Sequence, residues 1–212
     1  IENLNVILGG RFDNHSEYSN QFSPKLALRY KLTDDISLKG SVGYGFKAPD
    51  FRQLYFDFTN SAVGYTVLGY NVAIDKLEEL QALGQILDVV VSTDDLDNPL
   101  EAESSVGYNL GITYKKGKWN TELNLFRNDF KNLIDTRIIA RKTNGQNVFS
   151  YVNFDEIYTT GLEVNAGYKI NKNLNINAGY QLLYAFDKTK EELVENGEVF
   201  ARDPQTNQTV VV

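Results

Sequence analysis

The residue types with chemistry to offer gather between positions 50 and 104. Tyr55, Phe56, Phe58, Tyr65 and Tyr70 lie close together, with Arg52 just before them. Aromatic faces beside a guanidinium can hold a planar or catecholate ligand by stacking and cation–π attraction. The same side chains can equally form the apolar core of their own segment, and both readings stand at this point. Downstream, Asp94, Asp95, Asp97, Glu101 and Glu103 make a dense acidic run. Oxygen donors of this kind suit calcium, with Asp94, Asp95 and Asp97 as the candidate ligands. Their spacing is not that of an EF-hand loop, and a solvated acidic loop is the alternative. His15 is the single histidine and cysteine is absent. The chain therefore offers no multi-histidine centre, no thiolate zinc site and no thiol nucleophile. No nucleophile pairs with an evident base, which argues against an enzyme, and no cofactor is called for.

The element leading into this region is the most regular in the chain. Ile36, Leu38, Val42, Tyr44, Phe46 and Ala48 alternate with Ser37, Lys39, Ser41 and Lys47. Period two over that length marks a strand with one apolar and one polar face. Pro49 ends it, because proline has no N–H to give to a ladder. The same alternation recurs over 4–12, 24–32, 105–114, 119–125, 162–170 and 174–184. The strand starting at Trp119 continues, less regularly, through Phe130 and Ile134 to Ile139, and its return begins at Val148. Inside the long stretch 49–104, Ala73, Ile74, Leu77, Leu80, Leu83, Ile86, Leu87 and Val90 recur at helical spacing. They predict an amphipathic helix over 73–90, broken at Gly84, that either stiffens the loop or gates it.

Short turns at 33–35, 115–118 and 171–173 alternate with longer connections at 13–23, 49–104, 140–147 and from 186 onward. The polar strand faces carry Asn, Lys, Glu, Gln, Ser and Gly. Short turns at one rim, long loops at the other, an apolar outside and a wet inside describe an all-β, antiparallel transmembrane β-barrel. Arg29, Lys47, Glu163, Asn165 and Lys169 then face the lumen. Aromatics reach 12% with 13 tyrosines, which suits interfacial belts. A negative mean hydropathy does not oppose this, since only alternate residues meet lipid. About seven strands fall short of a closed bacterial barrel, which has at least eight. The 212 residues are thus expected to be one portion of a larger barrel, with 49–104 as a helix-containing extracellular loop. A formal charge of −7 argues against a nucleic-acid partner.

Six segments, in order, resemble the C-terminal half of the barrel of TonB-dependent outer-membrane receptors. They are GGRFDNHS, SPKLALRY, SVGYGFKAPDFRQLY, NPLEAESSVGYNLGITY, ELNLFRNDFKNLI and YVNFDEIYTTGLEVNAGY. FKAP (46–49) and NPLEAESS (98–105) are similar to two boxes that flank one extracellular loop in haem-uptake members. Those members carry a haem-binding histidine between the boxes, and this interval has none. The resemblance implies a roughly 22-stranded barrel with a plugged lumen in the bacterial outer membrane. It implies uptake of a scarce, bulky nutrient, an iron–siderophore chelate or haem, with cobalamin as another candidate. Partners would be outer-membrane lipid, the iron chelate, and the TonB–ExbB–ExbD complex acting through a plug region; plug, TonB box and terminal strand are expected to lie outside this chain. A passive, porin-like barrel is the alternative function.

Overall fold

A computed structural model describes residues 3–14, 20–91, 96, 99–154, 156–198, 200–202 and 209–211. In chain order the strands begin with β1 (Leu4–Asp13), β2 (Gln21–Lys31) and β3 (Ile36–Lys47). Helix α1 (Phe51–Tyr55), β4 (Asp57–Asn60), β5 (Tyr65–Leu68), helix α2 (Tyr70–Ala82) and β6 (Ile86–Val89) follow. Next come β7 (Glu103–Lys116), β8 (Trp119–Lys131), β9 (Leu133–Lys142), β10 (Asn147–Phe154), β11 (Ile157–Lys169) and β12 (Asn175–Asp187). Helix α3 (Lys188–Glu195), β13 (Phe200–Arg202) and β14 (Thr209–Val211) close the order. The chain forms two compact units. One comprises Ile1–Gly45, Ser105–Lys131 and Asp155–Val212; the other comprises Phe46–Ser104 and Asn132–Phe154.

The first unit is a wall. Its seven-stranded sheet runs β1-β2-β3-β7-β8-β11-β12, which is the number of strands expected from the alternation. Neighbours are antiparallel: Leu4 opposes Tyr30, Tyr168 opposes Trp119, and Lys169 opposes Asn175. Pleating sends successive side chains to opposite faces. Lys39, Asn109, Glu122, Asn124, Glu163 and Asn165 line one hollow of about 570 Å³ on the polar face. Lys39 and Glu122 pair there at 2.8 Å across the intervening β7. The other face shows Leu110, Tyr180 and Ile176, each more than half exposed. So much exposed apolar surface on a regular sheet is the pattern of the outward face of a membrane barrel. Aromatic pairs bracket this outward face at both strand ends. Trp119 meets Tyr168 at 4.6 Å, while Tyr158 stacks on Phe186 at 4.8 Å with the Arg127 guanidinium 4.2 Å above its ring.

Several boundaries differ from the sequence reading. β2 starts at Gln21, so Pro24 lies inside it, opposite Gly10. The β2–β3 pairing starts only at Lys25, so the proline interrupts no rung on that side. The strand predicted through Ile139 breaks at Asn132, a left-handed residue with φ 56°. β9 then joins a different sheet, and the return strand likewise splits into β10 and β11. At the tail, β14 pairs with β13.

The second unit contains a five-stranded sheet, β4-β5-β10-β9-β6. The stretch 49–104 is therefore not a loop by itself, because it shares a sheet with 133–154. α2 covers one side, and the core joins Leu68, Tyr70, Ala73, Leu77, Ile139, Ala140, Val148 and Val152. α2 begins earlier than the spacing predicts and ends where Gly84, at φ 66°, lets the Gln85 N–H return to the Leu80 carbonyl. Ile86 and Leu87, predicted to be helical, lie in β6 because β9 offers that segment a backbone partner.

Face assignment predicts an asymmetry. Leu110→Arg places a charge on the lipid side and should cost about 2–4 kcal/mol, and Asn109→Arg on the polar side much less. Chemical unfolding from liposomes compares them, and equal costs would remove the assignment. A second expectation concerns acid. The Glu156 carboxyl is held below its ordinary value by hydrogen bonds from Lys131 first and then Lys188. A depressed folded pKa makes this tie stabilising above the ordinary carboxylate pKa, and the tie is lost as pH falls through the lower value. A spin label at Glu192 should therefore become more mobile as the pH is taken below the ordinary carboxylate range, and Glu156→Gln should give that mobility at neutral pH. Unchanged spectra under both conditions would show that this tie does not hold α3.

Candidate functional site

The approach to the site is built by capping and turn chemistry. Asp50 accepts the Gln53 N–H at 2.8 Å, and the Gln53 side chain accepts the Asp50 N–H at 2.9 Å. This reciprocal capping box starts α1 directly after Pro49. Two residues past α1 the chain is extended in β4. Asn60 then closes the β4–β5 turn by accepting from the Ala62 and Val63 N–H groups. Gly64, at φ 86°, supplies the left-handed step.

Pairing in the five-stranded sheet brings distant aromatics together. Phe58 opposes Val67 on β5, and Val67 opposes Phe149 on β10. Phe56 stacks with Phe58 at 5.5 Å, Phe58 meets Tyr65 at 6.3 Å, and Tyr65 meets the edge of Phe149 at 6.5 Å. These four rings make a continuous file on one face of the sheet. Thr66, Leu68, Val148 and Ser150 alternate with them and are buried on the other face. Beside the file lies a hollow of about 400 Å³ lined by Gly64, Tyr65, Val67, Thr136, Gly145, Asn147 and Phe149.

The predicted aromatics thus divide by position. Phe56, Phe58 and Tyr65 stand together on the open face. Tyr55 stays on α1, its ring 6.1 Å from Phe51. Arg52 is exposed on α1. Tyr70 is only 8% exposed and donates its hydroxyl to the Leu96 carbonyl; it is a core residue, because the start of α2 turns it inward. Phe149 is the residue that the sequence reading missed. Its signal was the alternation after the Asn144-Gly145 turn, but nothing local said that β10 would pair with β5. Among the described residues no group of His, Cys, Asp and Glu could hold a metal ion. Asp94, Asp95, Asp97 and His15 lie outside the described residues.

The supporting face holds its position with few charges. Lys76 on α2 reaches Glu79 at 2.9 Å and Asp57 on β4 at 3.3 Å, and its pKa is raised, by Glu79 first and then Asp57. Buried Lys142 donates to the Thr66 hydroxyl at 2.8 Å, which in turn meets Thr59 at 3.0 Å. Chemically, the arrangement offers π faces and small polar groups on a rigid backing. Faces of this kind can stack on flat rings.

The family model described as TonB dependent receptor-like, beta-barrel, matches residues 1–209. The probable TonB-dependent siderophore receptor PirA of Acinetobacter baumannii is 34% identical over 133 residues, covering 63% of this chain and 15% of that protein. The ferrienterobactin receptor of Escherichia coli is 29% identical over 163 residues, covering 74% of this chain and 19% of that protein. The crystal structure of the siderophore receptor PirA from Pseudomonas aeruginosa is similar in fold, with a TM-score of 0.69 at 21% identity. That match covers 89% of this chain and 32% of that one. The chain thus spans 15% and 19% of the lengths of the two curated relatives.

One position sets how closely α1 backs the site. A Cβ on Gly69 would lie 2.4 Å from the backbone nitrogens of Tyr55 and Phe56. Gly69→Ala must therefore push α1 away, at about 1–3 kcal/mol. Hydrogen exchange should quicken in 51–60 while the wall amides are unchanged, and unchanged exchange in 51–60 would show that this close approach is not needed.

Proposed function

The chain belongs to the TonB-dependent receptor-like β-barrel family, and from that membership we propose that it supplies wall and ligand-contact face to an outer-membrane receptor for an iron chelate. The aromatic file of Phe56, Phe58, Tyr65 and Phe149 carries this reading. An iron chelate built on aryl groups presents flat rings, and each ring gains by stacking on such a file. The names of the two curated relatives, a siderophore receptor and a ferrienterobactin receptor, support the same ligand class. Haem finds less support, because the interval between the two flanking boxes has no histidine to ligate its iron.

In this reading the wall spans the outer membrane and the second unit faces the outside medium. The chelate rests against the aromatic file. Release inward draws on the TonB–ExbB–ExbD complex through a plug region. The wall's polar face, with the Lys39–Glu122 pair and its amides, keeps the interior hydrated. The role of this chain's residues is to bind and orient, and they make or break no covalent bond.

The test uses the full-length receptor with ferric enterobactin, a ferric hydroxamate and haem as probes. Phe149→Ala and Tyr65→Ala should each weaken ferric enterobactin binding about 3- to 10-fold, the worth of a lost aromatic pair. Energised uptake at low concentration should fall in step, at equal surface abundance. Unchanged affinity for ferric enterobactin in both variants would overturn the site, and preference for haem or the hydroxamate would overturn the ligand class.

A further inference from the structure

The second unit is assembled from two separate excursions of the chain, 46–104 and 132–154. The file of rings draws on both, since Phe56, Phe58 and Tyr65 come from the first and Phe149 from the second. Apart from the sheet, the two excursions are stitched together at their stems by a small set of polar side chains.

Asn153, next to last in β10, treats Glu101 as though it were a neighbouring strand. Its Oδ1 accepts the Glu101 N–H at 2.8 Å, and its Nδ2 donates to the Glu101 carbonyl at 2.9 Å. The second Nδ2 hydrogen goes to the Asn132 carbonyl at 2.8 Å. One side-chain amide thereby joins the return of the first excursion to both ends of the second. Asn132 holds φ 56°, a left-handed conformation that asparagine tolerates better than most residues. Its own amide donates to the Glu101 carboxylate.

Glu103 makes a second stitch. Its Oε1 accepts from the Lys47 ammonium at 3.0 Å and from the Ile134 backbone N–H at 3.1 Å. The end of β3, the start of β7 and the start of β9 thus meet on one carboxylate oxygen. The carboxylate is mostly covered, with 16% of the side chain exposed. Hydrogen bonds to an ionised acceptor are the stronger kind, and cover limits their competition with water.

We infer that Asn153 and Glu103 are positioning residues for ligand binding, locking the stems of the two excursions so that the aromatic file closes on a ligand as one face. This rests on the reading of that file as the ligand-contact surface. Neither side chain touches ligand in this scheme. Each acts by keeping Phe149 in register with Tyr65 and Phe58.

The experiment uses the full-length receptor in outer membranes, with ferric enterobactin as the probe. The variants are Asn153→Ala, Asn153→Asp, Glu103→Ala, Glu103→Gln and, for reference, Phe149→Ala. Asn153→Asp keeps the shape but turns an oxygen toward two carbonyls. Glu103→Gln keeps an acceptor for the Ile134 N–H. Hydrogen exchange at 133–142 should quicken at least tenfold in both Asn153 variants and Glu103→Ala, and less than threefold in Glu103→Gln. The dissociation constant should rise about tenfold in the same three variants, whereas uptake at saturating chelate stays within twofold of wild type. A purely structural role would lower saturating uptake and surface abundance together, and that outcome overturns the inference. So does unchanged exchange, or quicker exchange with unchanged affinity, while Phe149→Ala still weakens binding. If Phe149→Ala and the stem variants all leave affinity untouched, the aromatic reading itself falls and the inference falls with it.

Discussion

A backbone N–H or C=O in the hydrocarbon core of a membrane has no water to turn to. Leaving one unpaired there costs several kcal/mol. That constraint makes the wall a ladder of antiparallel strands, each matched rung for rung, as β8, β11 and β12 are along nearly their whole length. It also explains why the side-chain code can be so permissive. With the backbone satisfied by neighbours, a wall strand asks only for apolar residues on one face and hydrated ones on the other. Leu110 and Asn109, adjacent in β7, meet those two demands.

The second unit obeys a different rule. Three of its five strands are short, with four residues in each of β4, β5 and β6, and such pieces are marginal without a covered face. Stability has to come from burial, so α2 and Val148, Ile139 and Ala140 form a dry core of the ordinary kind. The long path from β5 to β10, through α2 and the strands β6 to β9, also allows the two to pair in parallel, which a hairpin cannot do. A segment far along the chain thereby enters the same sheet, and Phe149 arrives beside Tyr65.

This difference decides how much was legible in the sequence. Period-two alternation exposed all seven wall strands, because one face must be apolar over the full membrane thickness and local pattern carries that requirement. The site was legible only in part. Phe56, Phe58 and Tyr65 stood out as an aromatic cluster, yet Tyr70, of the same type and nearby, is a core residue. Only the docking of α2 separates them, and that is a long-range fact. Ile86 and Leu87 were read as helical because their spacing fits a helix and their true partner, β9, lies more than fifty residues away. The break at Asn132 was hidden for the opposite reason. Alternation continues in tone on both sides of it, and one left-handed residue leaves no trace in hydropathy.

The break has a structural logic of its own. A single residue in the left-handed region redirects the chain at little cost when it is asparagine, whose amide can bond locally. That amide is used at once, on the Glu101 carboxylate, and the carbonyl of the same residue is taken by Asn153. The residue that ends one ladder is thus itself a part of the stitch that secures the next. Backbone direction and polar satisfaction are therefore one problem at this point of the chain, met by an Asn153 amide with three hydrogen bonds and an Asn132 amide that reaches Glu101.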